Sequence, residues 1–311
     1  MFPVPDYIYF GIHVKEQIEA IEALGPFEKE VYFINGRADK LNYFKSISEI
    51  RKLVREGNFD LIHIHYGLAG LFLLFFKPDI PVVITLHSGE LYQKKGYLNH
   101  LMQKNITLSL LKRVRKIIVL NDDMVQMLEP HAARLLKQPC GTDLELFRER
   151  RVLTGSETKL RIGFPGNKAR PEKNYVLFEQ IVEKLRGEFE ISVIEFHNLT
   201  RDEVVSKLNE IDLLLMTSLV EGSPQIIKEA LACNKPVIST PVGDVSDVLR
   251  GVRNSHLVDS FHAEDFIGPV RDVLSLPRDE RRSDGREKLR RMGLGADQVA
   301  RVVKQVYNEC I

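Results

Sequence analysis

The sequence has few cysteines, almost no net charge and no long apolar run, and each shortage excludes a class of protein. Its three cysteines are an odd number without metal-ligand spacing, so we expect no disulfide framework and a reducing compartment. A net charge of +1 over 311 residues argues against nucleic acid as the main partner. The longest apolar run, residues 67–76, is about half as long as a membrane span. We therefore expect a soluble, cytoplasmic protein without a secretory signal.

What the sequence does contain is an alternation of strand and helix patterns in both halves. Short apolar runs, such as residues 60–65, 116–120 and 191–196, predict strands between the helical segments. This alternation predicts an α/β fold with two parallel-sheet domains and a cleft between them. Residues 148–159 are polar and lack apolar periodicity, so we expect a linker there and a domain boundary near residue 150.

The beginning of the chain is unusual for such a fold, because no strand pattern precedes the first helix. Residues 1–10 form a proline-containing loop, and Val14, Ile18 and Ile21 then mark an amphipathic helix. A doubly wound domain should open on a strand, so we expect the first strand to be missing or replaced. Residues 30–34 predict the next strand.

Residues 211–240 predict a strand, a loop, a helix and a second strand. The apolar run 211–216 is too short for a helix and predicts a strand that is buried on both faces. In the loop, Gly222 lets the backbone approach a ligand, Ser223 is a good helix N-cap, and Pro224 suits the first helical position. The result is a helix N-terminus at the carboxyl end of a parallel strand, where open α/β sheets bind phosphate groups.

Two carboxylates flank this helix start. Glu221 precedes it, and Glu229 lies in the second turn on the same face as Gln225. A carboxylate can accept two hydrogen bonds from hydroxyl groups, which suits the vicinal hydroxyls of a sugar or a ribose. The segment therefore predicts a diphosphate site with a hydroxyl-binding acid on each side. The alternative is a solvated helix face on which Glu229 has no role.

The segment EGSPQIIKEALACNKPVISTPVG, which begins at Glu221, resembles the donor-binding core of the retaining, metal-independent GT-B glycosyltransferases of family four. The hallmark of that family is the spacing Glu-x7-Glu. The resemblance implies that Glu221 holds hydroxyls of the donor sugar and that Glu229 holds the ribose of the nucleotide. It also implies that the N–H groups after Pro224, on Gln225 and Ile226, face the diphosphate.

The resemblance extends over nearly all of the chain and implies how it is divided. Residues 1–150 would form an acceptor-side Rossmann-like domain and residues 151–290 a nucleotide-sugar-binding one, with their parallel sheets facing a cleft. Residues 291–311 would form a helix that crosses back to the first domain. The family also implies no metal, and no cofactor other than the nucleoside-diphosphate sugar that serves as donor substrate.

A cluster of basic residues follows the first strand of the second half. Lys168, Arg170 and Lys173 could neutralise a diphosphate leaving group at the start of the next helix. The stretch resembles the family pattern Gly-Arg-x5-Lys-Gly, in which Lys173 matches. Asn167 and Asn174 depart from that pattern, so Arg170 or Lys168 would have to replace the missing arginine. The alternative is a lysine-rich helix start on the surface.

Histidines mark two strand patterns in the first half. His87 follows the strand 81–86, where a histidine is well placed to meet a ligand. The family places a histidine there, close to the donor sugar; the alternative is a structural cap. His63 and His65 lie on one face of strand 60–65, a spacing that a metal could use, but no third ligand is evident. We expect them to line the cleft or to be satisfied by hydrogen bonds.

Three further features complete the predicted site and its surroundings. Gly11 resembles the glycine that approaches the donor sugar in the family, although a helix-entry glycine would look the same. His197 lies in a segment that resembles the one over which the nucleotide base packs. Residues 92–115 are basic and amphipathic. Two interpretations stay open: the segment lies on an anionic membrane surface, or it is an ordinary helix whose basic side faces solvent.

The sequence thus predicts a retaining glycosyltransferase that moves a hexosyl group from a UDP- or GDP-sugar to a glycan or lipid-linked glycan in polysaccharide biosynthesis. His87, Glu221 and Lys173 are the predicted catalytic residues. The expected location is the cytoplasm, at the inner face of the membrane if residues 92–115 bind lipid. Two alternatives stay open: a GT-B nucleotide-sugar epimerase, and a non-catalytic nucleotide-sugar-binding protein, which the missing first strand favours.

Overall fold

The computed structural model describes residues 2–4, 8–92, 98–150 and 159–311. Part of the predicted linker, residues 151–158, and residues 93–97 of the basic segment lie outside this description. The chain divides into two compact units, which are described separately. The first contains residues 2–4, Phe10–Cys140 and Asp297–Ile311, and the second contains Gly141–Ala296 together with residues 8–9. The domain boundaries expected near residues 150 and 290 stay predictions.

A four-stranded parallel sheet forms the centre of the first unit. Its strands, which pair in the order β1-β2-β3-β4, are β1 (Ile62–His65), β2 (Val82–Thr85), β3 (Lys116–Val119) and β4 (Leu135–Lys137). The two central strands are almost entirely apolar, as expected for strands that are covered on both faces. Val83, Ile84 and Ile117 are fully buried.

The helices of this unit contribute to the same core. The α-helices are α1 (Ile12–Glu22), α2 (Asn42–Glu56), α3 (Leu98–Leu110) and α4 (Asp122–Met127). Short 3-10 helices are formed by Gly67–Leu74, Leu111–Arg113 and Glu129–Arg134. Ile50 of α2 and Leu110 of α3 belong to one buried apolar cluster with Ile84 of β2. The sheet is therefore held by side chains from both helices.

The strand predicted at residues 30–34 is not formed. Val31 and Tyr32 are exposed, at 41% and 38% of their full accessible area, and only the half-buried Ile34 packs against the core cluster. A strand needs a hydrogen-bonded neighbour to be stable. Within the described residues 2–4 and 8–61 no strand is present, and the first sheet ends at β1, so this segment has no hydrogen-bonded neighbour strand. The apolar pattern alone was insufficient, and the prediction was wrong.

The second unit contains a five-stranded parallel sheet in the order β6-β5-β7-β8-β9. Its strands are β5 (Leu160–Phe164), β6 (Ile191–Glu195), β7 (Leu213–Met216), β8 (Val237–Ser239) and β9 (His256–Leu257). The next two strands in the chain, β6 and β7, lie on opposite sides of β5, because β6 pairs with one of its edges and β7 with the other. The strand order therefore reverses beside β5. In open α/β sheets, ligands bind outside the carboxyl ends of the strands at such a point.

Helices connect these strands and complete the core of the second unit. The α-helices are α5 (Tyr175–Leu185), α6 (Arg201–Glu210), α7 (Gln225–Ala232), α8 (Val245–Leu249), α9 (Ala263–Leu274) and α10 (Gly285–Arg291). A short 3-10 helix, Pro171–Lys173, precedes α5. Phe178 of α5 and Phe266 of α9 are fully buried in one cluster with Ile162 of β5. The packing of α5 and α9 thus fixes the strand from which the basic segment emerges.

The last helix, α11 (Ala296–Cys310), belongs to the first unit from Asp297 onward. Its buried face carries Val299, Val303 and Tyr307. The Tyr307 hydroxyl lies 2.6 Å from Nδ1 of His63 in β1, so this helix is tied to the edge strand of the first sheet. In the part of the chain that the structure describes, every helix is too short or too polar to cross a bilayer.

Candidate functional site

The loop between β7 and α7 lies at the carboxyl edge of the second sheet. α7 begins at Gln225, and no side chain caps its first turn. An uncapped helix start presents N–H donors and the positive end of the helix dipole, which favours an anion. The predicted cap was wrong by one residue, because Pro224 occupies the N-cap position. The Ser223 hydroxyl instead donates to Oδ2 of Asp244 over 2.7 Å.

Two predicted catalytic residues meet beside this helix start. Lys173 donates to Oε1 of Glu221 over 2.7 Å, and their side chains retain 12% and 18% of their accessible area. The same carboxylate oxygen accepts a hydrogen bond of 2.8 Å from the Ser218 hydroxyl. The structure therefore places a partly buried cation and a carboxylate together, where the cation can meet a phosphate and the acid can accept from hydroxyl groups.

Neighbouring residues fix the position of Lys173. Gly166, which ends the turn after β5, adopts a φ of +126°, and a Cβ there would lie 2.9 Å from Cε of Lys173. The backbone conformation favours glycine, and the missing Cβ leaves room for the lysine side chain in this position. The Thr217 hydroxyl, after β7, hydrogen-bonds the carbonyl oxygen of Lys173 at 3.2 Å and that of Asn174 at 3.0 Å. The loops at the ends of β5 and β7 are thus joined at the lysine.

The other two basic residues of the predicted cluster do not join this contact. Arg170 is exposed, and its guanidinium pairs with Glu172 at 2.5 Å. Lys168 is also exposed, and its backbone N–H donates to Oε1 of Glu195 over 3.2 Å. Neither contacts Glu221 in the structure. Their predicted part in donor binding stays a prediction, whereas Lys173 has a defined place.

Asn167 occupies the position where an arginine was expected, and it contacts a different predicted site residue. Its side-chain amide nitrogen lies 3.2 Å from Nε2 of His197. The aromatic ring of Tyr9 lies beside the same histidine, with its centroid 5.6 Å from the centroid of the His197 ring. The turn after β5 therefore positions an imidazole beyond the end of β6, through a residue that the sequence pattern marked only as a departure.

Glu229 is buried, so the alternative of a solvated helix face is wrong. It retains 2% of its accessible area, and Nη2 of Arg201 donates to its Oε1 over 2.7 Å. The Arg201 guanidinium carbon lies 4.6 Å from the ring centroid of Phe147, a cation–π arrangement. One carboxylate oxygen of Glu229 is thus occupied by a cation that is itself held by an aromatic ring.

Four histidines lie close together in the first unit. This histidine cluster consists of His13, His63, His65 and His87. Nδ1 of His65 lies 3.2 Å from Nε2 of His87, and the ring centroids of His13 and His87 are 4.8 Å apart. Both ring nitrogens of His63 have partners, because Nε2 lies 2.8 Å from the Thr85 hydroxyl and Nδ1 contacts a tyrosine hydroxyl. The expectation that hydrogen bonds satisfy His63 is confirmed.

Burial disfavours the charged form of three members of this cluster. It lowers the pKa of His63 to about 3 and the pKa values of His65 and His87 well below the ordinary value. A neutral imidazole can accept a hydrogen bond at one nitrogen and donate at the other. Among the described residues, no group of three histidine, cysteine or acidic side chains has metal-binding geometry. The metal hypothesis for His63 and His65 therefore receives no support.

Glu90 holds the backbone turn that carries His87. Its Oε1 accepts hydrogen bonds from the N–H groups of His87, at 2.9 Å, and Gly67, at 3.3 Å. Ser88, which lies between His87 and Glu90 in the chain, has a φ of +82°, and a serine rarely adopts this conformation without such support. Burial raises the pKa of Glu90 to about 7. A buried carboxyl group with a raised pKa thus holds the turn that carries a predicted catalytic histidine.

Gly11 lies at the start of α1 in the same unit. It has a φ of +71° and is the residue before the first helical turn, where its carbonyl oxygen accepts from the N–H of Val14 over 2.9 Å. A left-handed conformation favours glycine over any other residue. His13, two residues later, contacts His87. Gly11 therefore lies two residues before a member of the histidine cluster.

Comparison with known families decides the class of this site. Residues 16–146 match the family model described as Glycosyltransferase Family 4, and residues 159–275 match the one described as Glycosyl transferases group 1. The chain belongs to the family-four glycosyltransferases. The two matches contain every predicted site residue except Gly11, so most of the site lies within the matched segments.

The glycosyltransferase resembles curated relatives at low identity. It is 23% identical over 291 residues to a D-inositol 3-phosphate glycosyltransferase of Paenarthrobacter aurescens, covering 74% of this chain and 67% of the relative. A second D-inositol 3-phosphate glycosyltransferase, from Pseudarthrobacter chlorophenolicus, is 24% identical, and the match covers 71% of this chain and 64% of that relative. An uncharacterized glycosyltransferase of Methanocaldococcus jannaschii is 22% identical, with 88% of each chain covered.

Solved structures confirm the fold of the glycosyltransferase. Sucrose-phosphate synthase from Thermosynechococcus elongatus gives a TM-score of 0.75 at 17% identity, over 96% of this chain and 93% of that one. Anabaena HepE, solved in complex with UDP and glucose, gives 0.67 at 12% identity, over 90% and 84%. These neighbours are GT-B glycosyltransferases, and the predicted α/β fold with two parallel sheets is confirmed.

Two residues that support the site in the glycosyltransferase, Arg201 and Asn167, were not selected as site residues from its sequence. Arg201 could have been noticed because a basic residue in the first turn of a helix is unfavourable next to the positive end of the helix dipole, unless it has a partner. Asn167 gave a weaker signal, because it only differs from the family pattern. Glu90, which follows His87 by three residues, was a weaker candidate from the sequence. Their partners became clear only from the contacts.

Proposed function

We propose that this glycosyltransferase moves a hexosyl group, with retention of configuration, from a nucleoside-diphosphate sugar to a hydroxyl of a glycan or lipid-linked glycan in polysaccharide biosynthesis. The observation that carries the proposal is the contact of Lys173 with Glu221 beside the uncapped start of α7. These groups lie at the point where the strand order of the second sheet reverses. Positive charge, N–H donors and a carboxylate are what an activated sugar requires.

Each group has one role in the proposed donor complex. The diphosphate binds to Lys173 and to the N–H groups at the start of α7. Glu221 accepts hydrogen bonds from hydroxyls of the sugar, through the oxygen that Lys173 leaves open. Glu229 accepts from the ribose, through the oxygen that Arg201 does not hold. His197, fixed by Asn167, lies under the base.

The same groups stabilise the departing charge. In the transfer, the bond between the sugar C1 and the phosphate oxygen breaks, the acceptor oxygen bonds to C1 on the same face, and the acceptor proton passes to the leaving phosphate. Negative charge develops on the diphosphate as the bond breaks. Fixed donors at that position stabilise this charge more in the transition state than in the bound substrate. The proposed reaction therefore uses Lys173 and the helix start, without a metal ion.

The comparisons support uridine diphosphate as the first donor nucleotide to test. Anabaena HepE is described in complexes with UDP, with UDP and glucose, and with UDP-glucose. Its identity to this chain is 12–13%, so the base and the sugar are proposals here. GDP and ADP are the comparison ligands because the diphosphate contacts proposed above do not depend on the base.

An apolar surface of the first unit supports a lipid-linked acceptor or a membrane location. Leu98 and Met102 of α3 are 83% and 60% exposed, and Leu74, at the end of a 3-10 helix, is 37% exposed. These three side chains line one open groove of about 410 Å³. The sequence 92–115 contains six basic residues and no acidic one. Exposed apolar side chains next to basic residues fit an anionic lipid surface, which we propose as the partner of this face.

A ligand screen followed by a turnover assay tests the proposed function. UDP, GDP, ADP and their hexose conjugates are compared by thermal shift, and a ligand at a hundred times its dissociation constant should stabilise by about 2.7 kcal/mol. Donor with glycan acceptors should then yield a product with the donor's anomeric configuration. Isomerisation of the donor alone would indicate an epimerase instead. Binding without turnover on any acceptor would indicate a binding protein, and no binding at all would refute the donor site.

A further inference from the structure

A charged pair is completely buried beneath the loop that precedes α7. Lys228, in the middle of α7, has no accessible side-chain area, and Asp244, after β8, retains 3%. Nζ of Lys228 lies 2.9 Å from Oδ2 of Asp244. The neighbouring positions Ile227 and Leu231 of the same helix are buried and apolar. Apart from Glu229, the other buried positions of this helix are apolar.

Packing alone does not explain this pair. Moving an ammonium and a carboxylate out of water costs several kcal/mol for each ion, and apolar residues of similar size often serve stability equally well or better. A long apolar side chain at position 228 would continue the buried face of α7. The pair therefore has to be explained by what it fixes, because stability does not require it.

The pair fixes the donor loop through Ser223. The Ser223 hydroxyl donates to Oδ2 of Asp244 over 2.7 Å, and Nζ of Lys228 donates to the same hydroxyl. The two backbone segments also approach each other closely. Gly243 has a φ of +62°, and a Cβ at this position would lie 2.4 Å from the carbonyl oxygen of Gly222, so only glycine fits there. The loop, the helix and the turn after β8 thus meet at one buried polar group.

We propose that Lys228 and Asp244 are positioning residues of the donor site, which hold Gly222 and Ser223 so that the first N–H groups of α7 point at the diphosphate. This inference rests on the proposed function. The pair acts through the loop and does not touch the donor. Its removal should therefore weaken diphosphate binding and loosen the helix start, while the rest of the second unit stays folded.

A double substitution separates positioning from stability. Lys228→Met together with Asp244→Asn removes both charges at nearly constant volume, so the unfolding midpoint should stay close to that of the wild type. We expect the dissociation constant for UDP to rise at least about tenfold by calorimetry, with GDP and ADP measured in parallel. Hydrogen exchange at Gln225 and Ile226 should become faster without ligand. The matched control is Arg271→Met with Glu188→Gln, an exposed pair of the same unit at 2.6 Å, which should change neither quantity.

The outcomes separate this inference from the proposed function. If the wild type binds none of the three diphosphates, the proposed function fails, and hydrogen exchange alone then tests the positioning role. If the double variant exchanges and binds like the wild type, the positioning role is refuted. Should the double variant not fold, Ser223→Ala replaces it, because this change removes only the connecting hydroxyl. Wild-type exchange and affinity in Ser223→Ala would refute the inference equally.

Discussion

Replacing Lys173 by methionine is the most direct test of how the donor charge is stabilised. The substitution keeps the length of the side chain but removes the ammonium that lies 2.7 Å from Glu221. In the proposed complex this ammonium donates to the diphosphate. A hydrogen bond between charged groups contributes about 1.5–3 kcal/mol, and the remaining exposure of the lysine side chain, 12%, places this contact near the lower limit. We therefore expect UDP to bind roughly tenfold more weakly.

The effect on turnover should be larger than the effect on binding. Charge on the departing diphosphate is greatest in the transition state, and the loss of one fixed donor at such a position typically lowers kcat by about 10²–10³. Steady-state kinetics with saturating donor would measure this ratio. Lys184→Met is the matched control, because Lys184 is an exposed lysine of the same unit paired with Glu264 at 2.6 Å. Turnover of Lys173→Met within about threefold of that control would refute the proposed role.

Three further predictions follow from the contacts. Arg201→Met leaves the buried carboxylate of Glu229 without its cation, so the free energy of unfolding in urea should fall by about 1–3 kcal/mol and UDP affinity by calorimetry should also fall. Arg186→Met, which removes an exposed arginine of the same unit, should change neither quantity. Burial lowers the pKa of His63 to about 3 and the pKa values of His65 and His87 well below the ordinary value. Below about pH 6.5 the unfolded chain therefore binds more protons at these positions than the folded chain does, and the free energy of unfolding should fall by up to about 1.4 kcal/mol per pH unit for each group. A free energy of unfolding, measured in urea, that stays constant between neutral pH and about pH 5 would contradict this prediction. Leu98→Ser should reduce cosedimentation with anionic vesicles, and Val176→Ser, which changes an exposed residue of the second unit, should not.

Local chemistry made much of the second unit predictable. The apolar run 211–216 predicted a buried strand, and β7 is buried at every position. Gly222 and Pro224 predicted a helix that begins just after them, which α7 does. These predictions succeeded because strand burial and helix starts depend on residues within a few positions of each other. The cap was wrong by one residue because the Ser223 hydroxyl has a buried partner more distant in the sequence.

Partners that are distant in the sequence set the limit of prediction. The strand expected at residues 30–34 is not formed: the first sheet ends at β1, so the segment lacks the hydrogen-bonded neighbour that a strand needs. The contact of Lys173 with Glu221 joins positions 48 residues apart. It could have been anticipated only from the strand order, which places the ends of β5 and β7 side by side. Periodicity contains no information about that order.

The two acids of the Glu-x7-Glu motif show how the same residue type acquires different properties from its surroundings. Glu221 lies in a loop, partly exposed, and shares one oxygen with a lysine and a serine. Glu229 lies on a helix, almost fully buried, and is held by an arginine that rests on an aromatic ring. A partly exposed carboxylate can adjust to different sugar hydroxyls, whereas a buried and fixed one accepts a single geometry. Specificity for the ribose should therefore be stricter than specificity for the sugar, so a 2′-deoxy nucleotide should lose more affinity than a donor with an altered hexose.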